Sequence, residues 1–145
     1  ATIHGNQALM ERASENKNNL KILAVTALTS LDRGDLDDLG FACDVQDLVI
    51  SRAKRAFEAG CDGIVSSGLE VPFIREYVDN KLICVTPGIR PVANNDDQKR
   101  VVDVATAFKS GSDYIVVGRP IKNAANRYEA ASNIQKIIKK TFESV

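Results

Sequence analysis

The sequence predicts an α/β fold: about half of a (β/α)8 TIM barrel, with parallel strands and helices on the outer face. Short apolar runs alternate with longer amphipathic segments through the 145 residues, which is typical of parallel strands joined by helices. Residues 60–65 resemble residues 111–116, each pairing a glycine and an aspartate with a following strand. Four apolar runs and a stub at residues 2–4 are recognisable, whereas a closed barrel needs eight strands in roughly 250 residues.

Each predicted element has a local signal. Asp44 is expected to cap a helix over residues 45–59, which Gly60 would end. Pro72 suits the first turn of a helix over residues 72–78. The apolar runs that we expect to form strands are residues 21–26, 63–67, 81–86 and 114–117.

The remaining segments are polar or amphipathic. The acidic run over residues 32–38 is expected to be a solvated loop leading to a short helix, and residues 88–97 a long polar loop. A helix over residues 98–109 would be closed by Gly111, and a terminal helix would span residues 124–142. A half-barrel of this kind would expose two sheet edges and an apolar concave face.

Composition excludes several functional classes. The formal net charge is zero, with 44% hydrophobic and 26% charged residues, which gives no support for binding to nucleic acid or to a membrane surface. No apolar run has the length of a membrane span, and no signal peptide is recognisable. Cys43, Cys61 and Cys84 lack metal-like spacing, so we expect reduced thiols in a cytoplasmic protein without a metal site.

The clearest functional signal lies after the last two strands, because parallel barrels carry their sites at the carboxyl ends of strands. Gly118 and Arg119 follow the strand at residues 114–117. The glycine lets backbone N–H groups approach an anion, and a guanidinium pairs with phosphate bidentately. In the segment 86–91, two prolines stiffen a loop that aims Arg90. We expect the two arginines to converge on one dianion.

Other polar residues at the expected rim give weaker signals. The hydroxyls of Thr26 and Thr29 suit either hydrogen bonding to a ligand or the capping of a turn. Gln98 suits a contact with the site or the first turn of a helix. His4 ends the stub strand, where packing behind the site is a commoner role for a lone histidine than catalysis. The acidic run lacks the spacing of metal ligands.

Four segments together resemble bacterial-type orotidine 5′-phosphate decarboxylase, namely residues 24–30, 60–67, 86–91 with 97–98, and 115–121. The resemblance covers essentially the whole chain. It implies a single region, residues 1–145, that runs from the end of strand 4 through helix 8, with the N-terminal half of the barrel not present. It implies the conversion of orotidine 5′-monophosphate (OMP) to uridine 5′-monophosphate (UMP) and CO₂ in pyrimidine biosynthesis, with no metal or organic cofactor.

The resemblance also implies roles for six residues. Arg119 and the backbone of Gly118 would grip the 5′-phosphate, and Arg90 would contact the same phosphate from a loop that closes over the substrate. Gln98 would bridge phosphate and pyrimidine. The two residues implied at the pyrimidine end are Thr29, which would hydrogen-bond the ring, and Pro87, which would pack nearby.

The family's catalytic lysine–aspartate array does not occur in this sequence. Its core is a motif of the form D-x-K-x-x-D, and no such motif is found among the 145 residues. In the family dimer one aspartate comes from the partner subunit. We therefore expect no catalytic residue in this chain and no activity from the chain alone. Its expected partners are a pyrimidine nucleotide and either the N-terminal half of the barrel or a second copy, in a homodimer.

Two other interpretations remain open from the sequence. The chain could come from another phosphate-binding barrel enzyme, such as a hexulose-phosphate synthase relative, which should lack the paired Thr29 and Gln98. It could also be a non-catalytic half-barrel that assembles through its open edges. Affinities for a pyrimidine nucleotide and for a pentulose phosphate would separate these interpretations.

Overall fold

One parallel sheet organises the chain. A computed structural model describes residues 1–90 and 100–143. Five strands pair in chain order, so each strand neighbours the next one along the sequence. This order confirms the predicted parallel α/β architecture. The strands are β1 (Thr2–Ile3), β2 (Leu23–Val25), β3 (Gly63–Val65), β4 (Ile83–Thr86) and β5 (Tyr114–Ile115).

Helices connect the strands and follow the last one. Those in the described part of the chain are α1 (Gln7–Glu15), α2 (Arg33–Asp38), α3 (Val45–Glu58), α4 (Val71–Tyr77), α5 (Val104–Lys109), α6 (Arg119–Lys122) and α7 (Arg127–Glu143). The sequence interpretation missed α1, whose N-cap Asn6 accepts a hydrogen bond from the Leu9 N–H at 3.0 Å. It also missed α6, so α7 begins at Arg127 rather than at Ala124.

The acidic run is a helix and not the expected loop. Asp32 and Asp35 form a reciprocal capping box: each carboxylate accepts the other's backbone N–H, at 3.0 Å and 2.8 Å. This exchange satisfies two donors at the start of α2. Asp44 does stand at the N-cap position of α3, but its side chain makes no capping hydrogen bond. It lies 3.7 Å from the Nε of Arg33 instead.

The start of α5 also differs from the prediction. The helix begins at Val104, after Asp103, whose carboxylate accepts the Thr106 N–H at 2.8 Å. Just before it, Val102 forms an isolated parallel bridge with Ile89. That pairing keeps the backbone before Val104 extended rather than helical. Because it is a contact between distant parts of the chain, local sequence preference cannot predict it. The predicted helix start at Gln98 lies outside the described residues.

The two faces of the sheet differ in burial. Ala24, Ile64 and Cys84 are paired across the sheet and pack into the core shared with the helices. The next row presents Val25, Val65, Val85 and Tyr114 to the opposite face, where the valines are half-buried and Tyr114 is 61% exposed. The expected apolar face of a partial barrel is therefore present.

Two of the three cysteines belong to the hydrophobic core. Cys61 and Cys84 are buried, Cys43 is half-buried, and all three thiols are free. Burial raises the pKa of Cys84 to about 11, so its sulfur stays protonated near neutrality. In the described ranges, no helix combines the length and apolar character needed to cross a membrane.

Candidate functional site

A cavity of about 300 Å³ lies at the carboxyl ends of β4 and β5. The residues that line it come from the loop after β4 and from the turn into α6: Pro87, Gly88, Arg90, Val116, Gly118, Arg119 and Lys122. Three of these described lining residues are cationic and none is acidic. Such a concentration of positive charge favours an anionic ligand.

Both the backbone and the side chain of Arg90 make hydrogen bonds that fix its position. Its backbone N–H donates to the Val102 carbonyl at 3.0 Å, and its Nη1 donates to the Ile89 carbonyl at 2.8 Å. Gly88 makes this turn with a φ of +76°, a left-handed conformation that favours glycine. Arg90 is only 7% exposed. Its guanidinium therefore stands in a defined place beside the cavity.

Gly118 and Arg119 line the same cavity from the turn between β5 and α6. The end of β5 is fixed to β4 because the Val116 N–H donates to the Thr86 carbonyl at 2.8 Å. The chain then turns at Gly118, and Arg119 is the first residue of α6. A Cβ added to Gly118 would meet no described atom within 4 Å. Packing of the described chain therefore does not require a glycine here, and the space beside it is open to a ligand.

Thr29 lies next to this cavity but does not line it. It is buried, and its Cγ2 would stand 3.6 Å from a Cβ placed on Gly88. Its carbonyl accepts the Arg100 N–H at 3.1 Å. Of the six residues expected to bind substrate, four meet at the cavity, Thr29 flanks it, and Gln98 lies outside the described residues.

His4 stands at a different cavity. Its Nε2 lies 3.1 Å from the Arg52 Nη1, which also donates to the Thr26 carbonyl at 2.9 Å. These two side chains and Arg55 help to line a space of about 350 Å³. The imidazole is exposed and is not among the residues lining the cavity of Arg90 and Arg119.

Comparison with known proteins identifies the family. The family model described as "Orotidine 5'-phosphate decarboxylase / HUMPS family" matches residues 2–134. The chain belongs to this family. It is 63% identical over 144 residues to a protein from Methylococcus capsulatus named orotidine 5'-phosphate decarboxylase, covering 98% of this chain and 60% of that protein. A protein of the same name from Nitrobacter winogradskyi is 47% identical, covering 92% of this chain and 57% of the relative.

Solved structures agree with this assignment. The chain resembles a crystal structure of orotidine 5'-phosphate decarboxylase from Lactobacillus acidophilus, with a TM-score of 0.77 and 32% identity over 94% of this chain and 61% of that one. The chain thus spans about 60% of the length of the relatives it matches. The predicted identity of the family and the partial-barrel fold are confirmed.

The sequence interpretation missed three charged residues near the carboxyl ends of the strands, namely Lys122, Arg100 and Glu70. Lys122 lines the cavity three positions after Arg119, and recognising α6 as a helix would have placed both on one side of it. Arg100 and Glu70 form an ion pair, with Nη1 2.6 Å from Oε1 and both side chains almost fully buried. They are thirty positions apart in the sequence, and no local pattern connects them.

Proposed function

We propose that this chain supplies the phosphate- and pyrimidine-binding part of an orotidine 5′-monophosphate decarboxylase, which converts OMP to UMP and CO₂. One observation carries the proposal: Arg90, Arg119 and Gly118 line a single cavity at the ends of two adjacent parallel strands. Two guanidiniums and an open backbone suit a phosphate dianion. The names of the relatives give the reaction class.

The nucleotide would lie across the rim of the sheet. Its 5′-phosphate would contact Arg90, Arg119 and the backbone at Gly118. Its pyrimidine would extend towards Thr29, which lies close to Gly88, with Pro87 packing near the ring and Gln98 bridging phosphate and pyrimidine. In this arrangement, binding energy from the phosphate, which does not react, lowers the barrier for loss of CO₂ at the pyrimidine.

The bond-breaking step would depend on groups outside this sequence. Decarboxylation leaves an electron pair on C6 of the pyrimidine, and an acid must protonate that carbon. The motif that supplies the family's lysine and aspartates does not occur in this sequence. The chain alone would therefore bind nucleotide without turning over. The lysine and aspartates would come from the N-terminal half of a barrel, in an enzyme that we expect to be a homodimer. The free thiols suit a cytoplasmic enzyme.

Complementation tests the proposal. The part of the Methylococcus capsulatus relative that this chain does not match is joined to the chain, and the chimera is assayed for CO₂ release from carboxyl-labelled OMP. We expect CO₂ release from the chimera and none from the chain alone. A folded chimera that neither releases CO₂ nor binds UMP would overturn the proposal. Tighter binding of a pentulose phosphate than of UMP would favour a hexulose-phosphate synthase relative instead.

A further inference from the structure

Residues 100–102 connect the two ends of the proposed nucleotide site. The Arg100 N–H donates to the carbonyl of Thr29 at 3.1 Å, and the carbonyl of Val102 accepts the N–H of Arg90 at 3.0 Å. Thr29 belongs to the proposed pyrimidine end and Arg90 to the phosphate end. One short segment therefore hydrogen-bonds the backbone of both.

The side chain of Arg100 ties the same segment to the turn that carries Thr29. Its Nε donates to the carbonyl of Leu31 at 3.1 Å, and its Nη2 donates to the carbonyl of Leu28 at 2.8 Å. Its Nη1 lies 2.6 Å from Glu70 Oε1, and the two side chains are 8% and 7% exposed. The guanidinium thus fixes two carbonyls on either side of Thr29 and is itself neutralised by a buried carboxylate.

Glu70 is anchored where β3 leads into α4. Its N–H donates to the carbonyl of Ser67 at 3.2 Å, and its carbonyl accepts the N–H of Ile74 at 3.1 Å. The Ser67 hydroxyl donates to the carbonyl of Arg100 at 3.3 Å. A Cβ on Gly68 would stand 2.6 Å from the Val102 Cγ2, so this loop packs directly on the segment. The loop after β3 is therefore the base on which residues 100–102 rest.

A stabilising role alone explains this ion pair poorly. Burying two charges carries a solvation cost that their attraction often fails to recover. Among the described residues, Glu70 Oε2 has no hydrogen-bond partner, and Arg100 Nη1, although 2.6 Å from Oε1, makes no contact with hydrogen-bond geometry. Both charged groups are therefore incompletely satisfied. Buried pairs of this kind serve in some proteins to specify one arrangement of the chain. In this chain, the side chain of Arg100 contacts the turn that carries Thr29, and Val102, two residues on, accepts the N–H of Arg90.

We propose that Arg100 and Glu70 are positioning residues that set the spacing between the pyrimidine and phosphate ends of the nucleotide site. The inference rests on the proposed function. Neither side chain needs to touch the ligand. A ligand that spans both ends depends on their spacing, whereas a ligand that occupies one end does not. Loss of the pair should therefore weaken UMP binding much more than binding of uridine or of inorganic phosphate.

The chimera described above, with Arg100→Met and Glu70→Leu combined, tests this inference, because removing both charges leaves no unpaired buried ion. We expect affinity for UMP to fall about 10- to 100-fold, the range that small misplacements produce. Affinities for uridine and for phosphate, measured separately by competition, should change less than about threefold. Equal losses for all three ligands, or no loss for UMP, would overturn the inference.

A second variant covers failure of the double variant to fold. Arg100→Lys keeps the charge opposite Glu70 but cannot reproduce the fork that reaches both carbonyls. We expect an intermediate, selective loss of UMP affinity, and an unchanged ratio of UMP to uridine affinity would contradict the inference. Asp113→Asn, which alters an ion pair at the other end of the sheet, is the control and should leave that ratio unchanged. If the unmodified chimera fails to bind UMP, the proposed function fails first.

Discussion

The two ends of the parallel sheet use charge differently. At the amino-terminal ends of the strands, Lys17 pairs with Asp62 and Arg75 with Asp113, each at 2.8 Å. At the carboxyl-terminal ends, the cavity beside Arg119 is lined by cations and by no acidic residue among those described. In barrels of this class, the first end contributes stability and the second end binds ligands. The chain follows that division even as part of a barrel.

The amino-terminal ion pairs are two copies of one arrangement. Lys17 donates to the carbonyl of Gly60 at 3.2 Å and to Asp62, whose carboxylate accepts the Ile22 N–H at 2.8 Å. Lys17 thereby joins the glycine that follows α3 to Asp62, and Asp62 in turn holds the backbone just before β2.

The second copy lies at residues 111–116, the segment that resembles residues 60–65. The Arg75 Nη2 donates to the carbonyl of Gly111 at 2.6 Å and to Asp113 at 2.8 Å. Asp113 accepts the Cys84 N–H at 2.8 Å. The repeated glycine and aspartate of residues 60–65 and 111–116 therefore mark a repeated contact between helix, loop and strand. This is a structural repeat and not a second ligand site.

Arg119→Ala should produce the largest difference between the two ends. Removing a guanidinium from a phosphate contact is expected to cost about 2–4 kcal/mol of UMP affinity. The free energy of unfolding should change by less than about 0.5 kcal/mol, because the side chain is only half-buried and lines a cavity. Calorimetric titration of the chimera with UMP measures the first quantity, and urea unfolding measures the second.

Arg12→Ala is the matched control for this experiment. Arg12 is an exposed arginine whose ion pair with Glu15 lies on α1, with side chains 80% and 62% exposed. Its removal should leave UMP affinity unchanged and stability nearly so. If the two variants bind UMP equally well, Arg119 does not contact the phosphate.

Asp113→Asn should show the reverse pattern. The substitution removes the charge opposite Arg75 and weakens the acceptor for the Cys84 N–H. We expect a loss of about 1–2 kcal/mol in the free energy of unfolding, with UMP affinity within about twofold of the unmodified protein. Asp62→Asn should behave alike because it occupies the equivalent place. Urea unfolding and nucleotide titration of both variants check this, and a selective loss of affinity would contradict the division between the ends.

The sequence predicted the strands and four of the seven described residues that line the cavity of Arg90 and Arg119, because the signals for both are local. Apolar runs mark β2 and β4, and a glycine followed by an arginine marks the turn after β5. The start of α5 was predicted wrongly because the bridge from Val102 to Ile89 is a contact between loops. The ion pair of Arg100 and Glu70 was missed for the same reason: only the fold brings them together.

Gly118→Ala is a finer probe of the ligand-binding end. No described atom lies within 4 Å of the added Cβ, but the backbone at Gly118, with a φ of −97° and a ψ of −94°, lies outside the α and β regions that alanine favours. The free energy of unfolding should therefore fall slightly, because alanine must adopt this backbone conformation. A methyl group beside the phosphate would obstruct its approach to the backbone, so we expect a loss of about 1 kcal/mol of UMP affinity. Unchanged affinity would mean that the phosphate does not approach this glycine.

The smallest expected effect is a pH dependence confined to the amino-terminal end. Burial alone would raise the pKa of Asp62, but the hydrogen bonds from Lys17 and from the Ile22 N–H outweigh it and hold the pKa below its ordinary value. A carboxylate with a lowered pKa in the folded protein contributes stability above its unfolded pKa of about 3.9 and loses that contribution as pH falls through the lower, folded value.

The difference in unfolding free energy between the unmodified chimera and Asp62→Asn should accordingly be constant from about pH 7 to pH 5 and shrink below about pH 4. Because the pair is partly exposed, with side chains 27% exposed, the change should not exceed about 1 kcal/mol. Urea unfolding at fixed ionic strength across this range measures it. A difference that widens in acid would mean that Asp62 is easier to protonate in the folded protein than in the unfolded chain, and that Lys17 does not stabilise its carboxylate.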